Sequence, residues 1–213
     1  MSDGIIVGVI GKTNNLAINS ILLSVPNCKI LHVINDPDDK YPLGHSPIPN
    51  GSTILCGKNV NSLNVCFNAA RTMGAKFLYI MHGFSVLNCS ILKTQSIESF
   101  CSDSYYSNYF IREPNSAGCA EDFWQVNNTY GMQNLSSFDP ILINKAPIQV
   151  INLFINMANI GEFDYATPYE FVVGEYTAGN IVRHIPIPLF CINANPYENL
   201  NNEVKNKYAK LYI

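Results

Sequence analysis

"NSLNVCFNAARTMGAKFLYIMHGF" (residues 61–84) runs from a helical pattern directly into a buried strand. Residues 61–75 have apolar positions at helical spacing, whereas residues 76–82 have the length of a strand and contain a continuous apolar run. The run breaks at Gly83, immediately after His82. The stretch therefore predicts a helix followed by a buried strand, with His82 at the strand end, where α/β folds commonly have a binding site.

The same alternation extends toward the N-terminus. Residues 4–10, "GIIVGVI", form a short apolar run, and a polar turn at 11–15 separates it from a helical pattern over 16–25. Two further apolar runs lie at residues 28–35 and 52–57. Strands apolar enough to be buried on both faces, alternating with helices, are typical of a mostly parallel sheet. We therefore predict an α/β fold, a mixed, mostly parallel central sheet flanked by helices.

The pattern after residue 87 is less regular. Pro147 and Gly161 stand where a helix would begin and end, because proline is tolerated in a first turn and glycine favours a helix terminus. We expect residues 1–213 to form a single domain, and we also allow for a domain cut from a longer protein. The predicted segments are a helix on the exposed side (88–101), one or two antiparallel strands (105–126), a strand (139–144), a helix (147–161), a helix (168–179), a last strand (180–193) and a C-terminal helix (199–213).

Composition excludes several classes of protein. The chain has 213 residues, 47% of them hydrophobic and 14% charged, which suits a compact domain. A net charge of -3, with Lys and Arg scattered singly, provides no broad basic surface, so we expect no nucleic-acid partner. No apolar run approaches the roughly 20 residues that span a bilayer, and no basic region precedes the first apolar run. We expect a soluble, cytoplasmic protein with no membrane span.

The seven cysteines give no sign of a metal site. They are odd in number and widely spaced, and they form no Cys-x-x-Cys pair or Cys/His cluster of zinc spacing. We predict buried free thiols.

Four short motifs occur along the chain in a particular order. They are a strand and turn "IVGVIGKTN" (6–14), an acidic stretch "INDPDD" (34–39), a segment "NVCFNAARTMGAKFLYIMHG" (64–83), and "IGEFDYATPYEFVVGEYTAGNIVRHIP" (160–186). In this order and spacing, they resemble the nucleotide-sugar-dependent glycosyltransferases of the GT-A fold, especially the family 2-like group. The resemblance covers roughly residues 4–190. A chlorovirus glycosyltransferase that decorates capsid glycans, acting in the host cytoplasm, is one form that this resemblance suggests.

The resemblance implies a set of nucleotide-sugar contacts. Gly11, Lys12 and Thr13 would bind the nucleotide, with Lys12 near phosphate, although the turn could also be only a helix cap. Asp36 would accept hydrogen bonds from uracil or ribose, although it could equally belong to a solvated turn. His82 would contact diphosphate or sugar as a hydrogen-bond or cationic partner. It could also be a strand-end histidine paired with a backbone carbonyl, or a metal ligand.

The metal site implied by the resemblance departs from the family pattern. Met81-His82-Gly83 stands where the family has Asp-x-Asp, so the carboxylates that suit Mg or Mn are missing there. Asp36 and Asp38, with His184 in the last strand, are the alternative ligands. Arg71 could supply positive charge to the diphosphate in place of a metal, although a surface salt bridge is the other interpretation. We therefore leave the need for Mn or Mg open, and we expect no organic cofactor.

Sugar transfer to a hydroxyl requires a carboxylate that deprotonates the acceptor. Glu170 holds the place of the family's acidic pair and is the first candidate. Glu121-Asp122, beside the only Trp, is the alternative, with Asp122 as the base. Asp164 and Glu175 are further candidates.

The resemblance implies an enzyme that transfers a sugar from a UDP-linked donor to a glycan or glycoprotein acceptor. A non-catalytic module that binds nucleotide or sugar on the same fold is the alternative. A different nucleotide-binding α/β enzyme is the third possibility, although neither Gly-x-Gly-x-x-Gly nor a P-loop motif is present.

Overall fold

The protein forms two sheets and four α-helices within the residues that the computed structural model describes. These residues are 4–39, 48–83, 85–90, 92–100, 105–110, 150–166, 168–178, 182–184 and 189–192. The helices are α1 (Asn15–Ser24), α2 (Ser62–Thr72), α3 (Thr94–Phe100) and α4 (Pro168–Thr177). The strands are β1 (Ile5–Ile10), β2 (Lys29–Ile34), β3 (Gly51–Leu55), β4 (Phe77–His82), β5 (Ser85–Leu87), β6 (Tyr105–Phe110), β7 (Val150–Asn156), β8 (Val182–His184) and β9 (Phe190–Ile192).

The main sheet has seven strands in the order β3-β2-β1-β4-β7-β6-β8. Strands β3, β2, β1 and β4 pair in parallel. Strand β7 is antiparallel to both β4 and β6, whereas β8 is parallel to β6. Strands β5 and β9 form a separate antiparallel pair. The predicted α/β fold, with a mixed and mostly parallel sheet flanked by helices, is confirmed.

Both helices that follow parallel strands begin at an asparagine. The Asn14 side chain accepts a hydrogen bond from the backbone N–H of Ala17 at the start of α1. The Asn61 side chain accepts from the N–H groups of Leu63 and Asn64 at the start of α2. A short polar side chain at this position satisfies N–H groups that a first helical turn cannot pair internally.

Each face of the main sheet carries its own core. On one face, Ile6 of β1 and Leu78 of β4 pack with α2 and with Phe171 of α4. On the other face, Val7 and Val9 of β1 pack with α1 and α3. The alternation along β1 follows from the two-residue period of a strand, so α1 and α2 cover opposite faces of the sheet.

The helix predicted over residues 147–161 is wrong, because Val150–Asn156 is strand β7. This strand lies inside the sheet, and Leu153 and Phe154 are buried in the two different cores. A strand covered on both faces shows a continuous apolar run, which periodicity alone cannot distinguish from a buried helix. The asparagine at position 152 fits this interior place because its amide donates to the Tyr79 hydroxyl at 2.8 Å.

Two other predicted boundaries also differ. The helix predicted for residues 88–101 begins only at Thr94, and Ile97 on it is fully buried, so α3 packs on the sheet and does not stand apart from it. The single strand predicted at 180–193 is divided between β8 in the main sheet and β9 in the small sheet. The strand predicted at 139–144 and the C-terminal helix at 199–213 lie outside the described residues.

Four cysteines whose side chains are described are free thiols. Three of them (Cys28, Cys56 and Cys66) are buried, which confirms that prediction for these three positions. Burial raises the pKa of Cys28 and of Cys66 to about 12, so neither is a thiolate near neutral pH.

Candidate functional site

The strand order reverses between β1 and β4. From β1 the chain moves outward to β2 and β3, and then returns to the other side of β1 as β4. The helices attached to these strands lie on opposite faces of the sheet. Such a topological switch point leaves a crevice beyond the carboxyl ends of the two strands, where open α/β sheets bind ligands. The residues at this point are Gly11 after β1 and His82 and Gly83 at the end of β4.

The two strand ends touch through their backbones. A Cβ added to Gly83 would lie 2.1 Å from the carbonyl oxygen of Lys12 and 3.0 Å from that of Gly11. Gly11 itself has φ of +79°, a conformation that L side chains rarely adopt. The N–H of Gly83 donates to the carbonyl of Ile10 at 2.9 Å. Glycine at both positions is therefore required by the shape of this junction.

His82 lies beside this junction and is partly buried. Its Nε2 atom is 3.9 Å from the position that a Cβ of Gly11 would occupy. Burial lowers the pKa of His82 to about 4, so the imidazole is neutral near pH 7. In this state the imidazole is a hydrogen-bonding group without a positive charge.

We expect acid to weaken the fold partly through His82. The unfolded chain protonates this imidazole near its ordinary pKa of 6.5, whereas the folded protein does so only at about 4. The contribution of the neutral His82 to the free energy of unfolding is therefore fully present above about pH 6.5. It is lost as the pH falls toward 4, because the unfolded chain binds more protons in this range. Urea unfolding of the wild type and of His82→Gln measures this contribution. Between about pH 7 and about pH 5, the free energy of unfolding of the variant should fall by about 2 kcal/mol less than that of the wild type. Equal losses in the two proteins would refute a neutral imidazole at this position.

Thr13 and Lys12 of the same turn face in different directions. Lys12 is exposed, so its ammonium group can reach a ligand at this edge. The Thr13 side chain is only 1% exposed, and its hydroxyl has no hydrogen-bond partner. In this conformation the turn presents its backbone and Lys12 to solvent, and the hydroxyl is buried beneath it.

Asp36 follows β2, beside the end of β1, and forms two interactions. One carboxylate oxygen is 3.2 Å from Nζ of Lys58, and the other accepts the N–H of Asp38 at 3.0 Å. The hydrogen bond from Asp38 and then the one from Lys58 lower the pKa of Asp36. An exposed pair of this kind contributes little to stability and can be exchanged for ligand contacts. Lys58 is not among the residues predicted from the sequence, although its position shortly after the β3 run was a usable signal.

Arg71 does not reach the candidate site. It lies in the last turn of α2, and its guanidinium donates to the carbonyl oxygens of Ile160 (2.8 Å) and Gly161 (2.5 Å). Its Cζ also lies 4.7 Å from the ring centroid of Phe67. A helix between parallel strands ends at their amino edge, so Arg71 is separated from His82 by roughly the length of β4, about 17 Å. In this structure Arg71 therefore lies far from the predicted diphosphate position, and its observed contacts tie α2 to the segment after β7.

Glu170 lies in the first turn of α4 and is held at the carboxyl side of the sheet. The preceding residues attach to the start of α2, because Asn61 donates to the Tyr165 carbonyl at 2.7 Å and the Tyr165 N–H donates to Asn64 at 3.1 Å. The N–H of Ala166 donates to Oε2 of Glu170 at 2.9 Å. The carboxylate thus forms a helix-terminus hydrogen bond as well as lying at the edge where β1 and β4 end.

The other candidate bases differ in their access to solvent. Asp164 is exposed, and its Oδ1 accepts from the Asn64 side chain at 2.9 Å. Glu175 is 6% exposed and accepts a hydrogen bond from the Tyr165 hydroxyl, so it is shielded from an acceptor. Asp122, beside Trp124, lies outside the described residues.

The alternative metal ligands are not brought together. Asp36 and Asp38 follow β2, whereas His184 ends β8, five strand positions away or roughly 24 Å. Among the residues that the structure describes, no group of three or more His, Cys, Asp or Glu side chains could hold a metal ion. These residues therefore do not fit a protein-held Mn or Mg site.

A cavity of about 310 Å³ lies at the opposite, amino edge of the sheet. Backbone of β1 and the turn before β4 line it, together with Lys29 and Lys76. It contains none of the predicted site residues, and the ends of α1 and α2 that adjoin this edge carry carbonyl dipoles that disfavour anions. We therefore place the candidate site at the carboxyl edge, on topology and side-chain chemistry.

Both the sequence and the fold of this chain can be compared with those of known proteins. No model of a protein family matches the sequence, and no curated protein matches it. A candidate nucleotide-diphospho-sugar transferase from Desulfovibrio desulfuricans G20 is 7% identical with a TM-score of 0.48, covering 100% of this chain and 99% of that one. The 4-diphosphocytidyl-2C-methyl-D-erythritol synthase from Anaerococcus prevotii DSM 20548 is 10% identical with a TM-score of 0.44, covering 99% and 96%. The glycosyltransferase GlyE from Streptococcus pneumoniae TIGR4 is 11% identical with a TM-score of 0.37, covering 96% and 59%.

These structural neighbours include nucleotide-sugar transferase-like folds. With identities of 7–11% and TM-scores of 0.48 or less, none of them identifies a substrate or a catalytic residue of this chain. Separately, none of the helices within the described ranges has both the length and the apolar character needed to cross a membrane.

Proposed function

We propose that the protein is a glycosyltransferase that transfers a sugar from a nucleoside diphosphate donor, most simply a UDP-sugar, to a hydroxyl of a glycan or glycoprotein. The observation that carries this proposal is the switch point between β1 and β4, where polar groups stand at the ends of three neighbouring strands. Asp36 follows β2, Gly11 and Lys12 follow β1, and His82 ends β4. A nucleotide can extend along such a row.

The charges along this row suit the parts of a nucleoside diphosphate. Asp36 is an acceptor for ribose hydroxyls or a base N–H group, and it lies on the β2 side. Lys12 is an exposed cation beside the central strand, where phosphate would follow. His82, neutral and next to Gly11, can donate one hydrogen bond toward a phosphate or sugar oxygen. During transfer, negative charge builds on the departing diphosphate, and these donors would stabilise it.

Calorimetry with a panel of nucleotides and nucleotide sugars tests the proposal directly. The expected result is binding of UDP or a UDP-sugar in preference to other nucleotides. If no nucleotide or nucleotide sugar binds, the proposed function is wrong.

Asp36→Ala should weaken UDP binding by about 1 to 3 kcal/mol, because it removes a charge-assisted hydrogen bond. Lys58→Ala is the matched control, since it breaks the same ion pair but leaves the carboxylate available. Calorimetric titration of the folded variants with UDP gives both affinities. Unchanged affinity in Asp36→Ala would remove Asp36 from the site.

We also expect sugar transfer to depend only weakly on added metal. Since the described residues do not supply a metal-binding cluster, any ion would be held mainly by diphosphate and water. Donor turnover is measured across a Mn titration with EDTA as the zero point, and most of the activity should persist in EDTA. Complete loss in EDTA, with recovery at micromolar Mn, would show that a carboxylate site has been missed.

A binding module without turnover is the second candidate function. The hydrogen bond that ties Glu170 to the backbone of Ala166 favours it, because that contact gives the carboxylate a structural role. Donor binding without hydrolysis or transfer to any acceptor would support this module over the enzyme.

A further inference from the structure

A buried histidine holds the turn at the end of β1. His32 of β2 is completely buried, and its Nε2 lies 2.8 Å from the carbonyl oxygen of Gly11. Because a carbonyl oxygen only accepts hydrogen bonds, Nε2 carries the proton and donates. The next residue of β2, Val33, accepts the N–H of Gly11 at 2.9 Å. Consecutive residues of β2 therefore fix both polar backbone groups of Gly11.

Fixing this carbonyl also fixes the direction of the next amide. In a trans peptide the C=O of Gly11 and the N–H of Lys12 point in opposite directions. The carbonyl is directed toward the buried His32, so the Lys12 N–H points away from it. Within the described part of the chain this N–H has no backbone partner, and Lys12 is exposed. The arrangement leaves one backbone donor available at the switch point.

From this geometry we infer that His32 is a positioning residue for ligand binding: it orients the Gly11–Lys12 peptide so that the Lys12 N–H can donate to an acceptor oxygen of the nucleotide. The inference rests on the proposed function for the identity of the ligand. The contacts of the turn with Gly83 limit its movement on the β4 side, and His32 does so on the β2 side. Without the hydrogen bond from His32, the partly buried Gly11 carbonyl would lose its donor, and the Gly11–Lys12 peptide could rotate. Rotation would turn the Lys12 N–H away from its outward direction.

Two substitutions separate this role from ordinary core packing. His32→Leu keeps apolar bulk but loses the donor, and His32→Gln offers a side-chain amide that can donate to the same carbonyl. Val9→Ala is the control, since Val9 is fully buried and pairs with His32 in the strand register, but makes no side-chain hydrogen bond. UDP affinity is measured by calorimetry, and stability by urea unfolding.

We expect His32→Leu to weaken UDP binding about tenfold, and His32→Gln to recover most of that loss. Val9→Ala should lower stability and leave affinity unchanged. Wild-type affinity in His32→Leu would overturn the inference, as would a loss of affinity that follows stability equally in all three variants. If His32→Leu does not fold, His32→Gln decides through Gly11: binding that is kept or lost together with the amide protection of Gly11 supports the role, and unchanged binding in a His32→Gln protein that has lost this protection refutes it.

Amide hydrogen exchange of the unliganded proteins distinguishes failure of this inference from failure of the proposed function. The N–H of Gly11 should exchange faster in His32→Leu than in Val9→Ala, relative to the β1 amides. If the wild type binds no nucleotide, the proposed function falls, and the exchange rates still decide whether His32 orients the turn. Equal protection of Gly11 in the two variants would refute the orienting role whether or not nucleotide binds.

Discussion

Replacing Gly83 by alanine is expected to destabilise the protein by about 3 kcal/mol or more and to abolish nucleotide binding. The added Cβ would lie 2.1 Å from the carbonyl oxygen of Lys12 and 2.7 Å from its carbonyl carbon, and both atoms belong to the backbone. No rotation of a side chain relieves such a clash, so β4 or the turn after β1 must move. Either shift separates Gly11 from His82, the two groups that meet at the switch point. Urea unfolding and calorimetry with UDP measure the two effects.

Gly161→Ala is the matched control for this change. A Cβ at Gly161 would meet nothing within 4 Å, so the same substitution there should leave stability and binding close to wild type. Wild-type stability and UDP affinity in Gly83→Ala would mean that the junction between β1 and β4 adapts freely. That outcome would remove the reason for placing a preorganised site there.

Glu170→Gln should lower sugar transfer by about 100-fold or more while leaving donor binding unchanged, if Glu170 is the base. The structure makes this substitution especially informative, because Glu170 also accepts a hydrogen bond from the N–H of Ala166. A glutamine side chain can still accept that bond, so the start of α4 is preserved and only the proton-accepting carboxylate is lost. Steady-state transfer assays, with donor affinity measured separately, show which property has changed.

Three comparisons define the result. Glu170→Ala removes the structural bond as well and should lose about 1 kcal/mol of stability in addition to activity. Asp164→Asn tests the exposed carboxylate that lies near the same edge, and Asp122→Asn tests the alternative acidic pair. Normal transfer by Glu170→Gln would move the base to Asp164 or Asp122. If Glu170→Ala loses stability but not transfer, Glu170 has a structural role alone.

The sequence predicted those parts of the fold that have local signals. The first half alternates short apolar runs with helices that begin at Asn14 and Asn61, and in this half each predicted element is observed. Strand β7 was missed because it is covered on both faces, so its composition carries no period-two alternation. Its identity depends on pairing with β4 and β6, which are distant from it along the chain.

The candidate site shows the same division. Gly11, Asp36 and His82 follow strands that the sequence predicts, and parallel strands end at one edge, so their common location could be foreseen. The distance of Arg71 from this edge could not be predicted, because it depends on which end of α2 lies there and on carbonyl groups about ninety residues away, at Ile160 and Gly161. The separation of His184 from Asp36 likewise depends on strand order.

The sequence by itself determined the α/β class, the helices of the first half and the glycines and polar residues at the strand ends, because these depend on periodicity, capping and conformational preference within a few residues. Only the tertiary structure decided the order and direction of β7, β6 and β8, the neutral state of His82 and the hydrogen bond from His32 to Gly11. Each of these depends on burial or on contact between segments far apart in the chain. Strand pairing and desolvation are properties of the assembled sheet, and no local window of sequence encodes them.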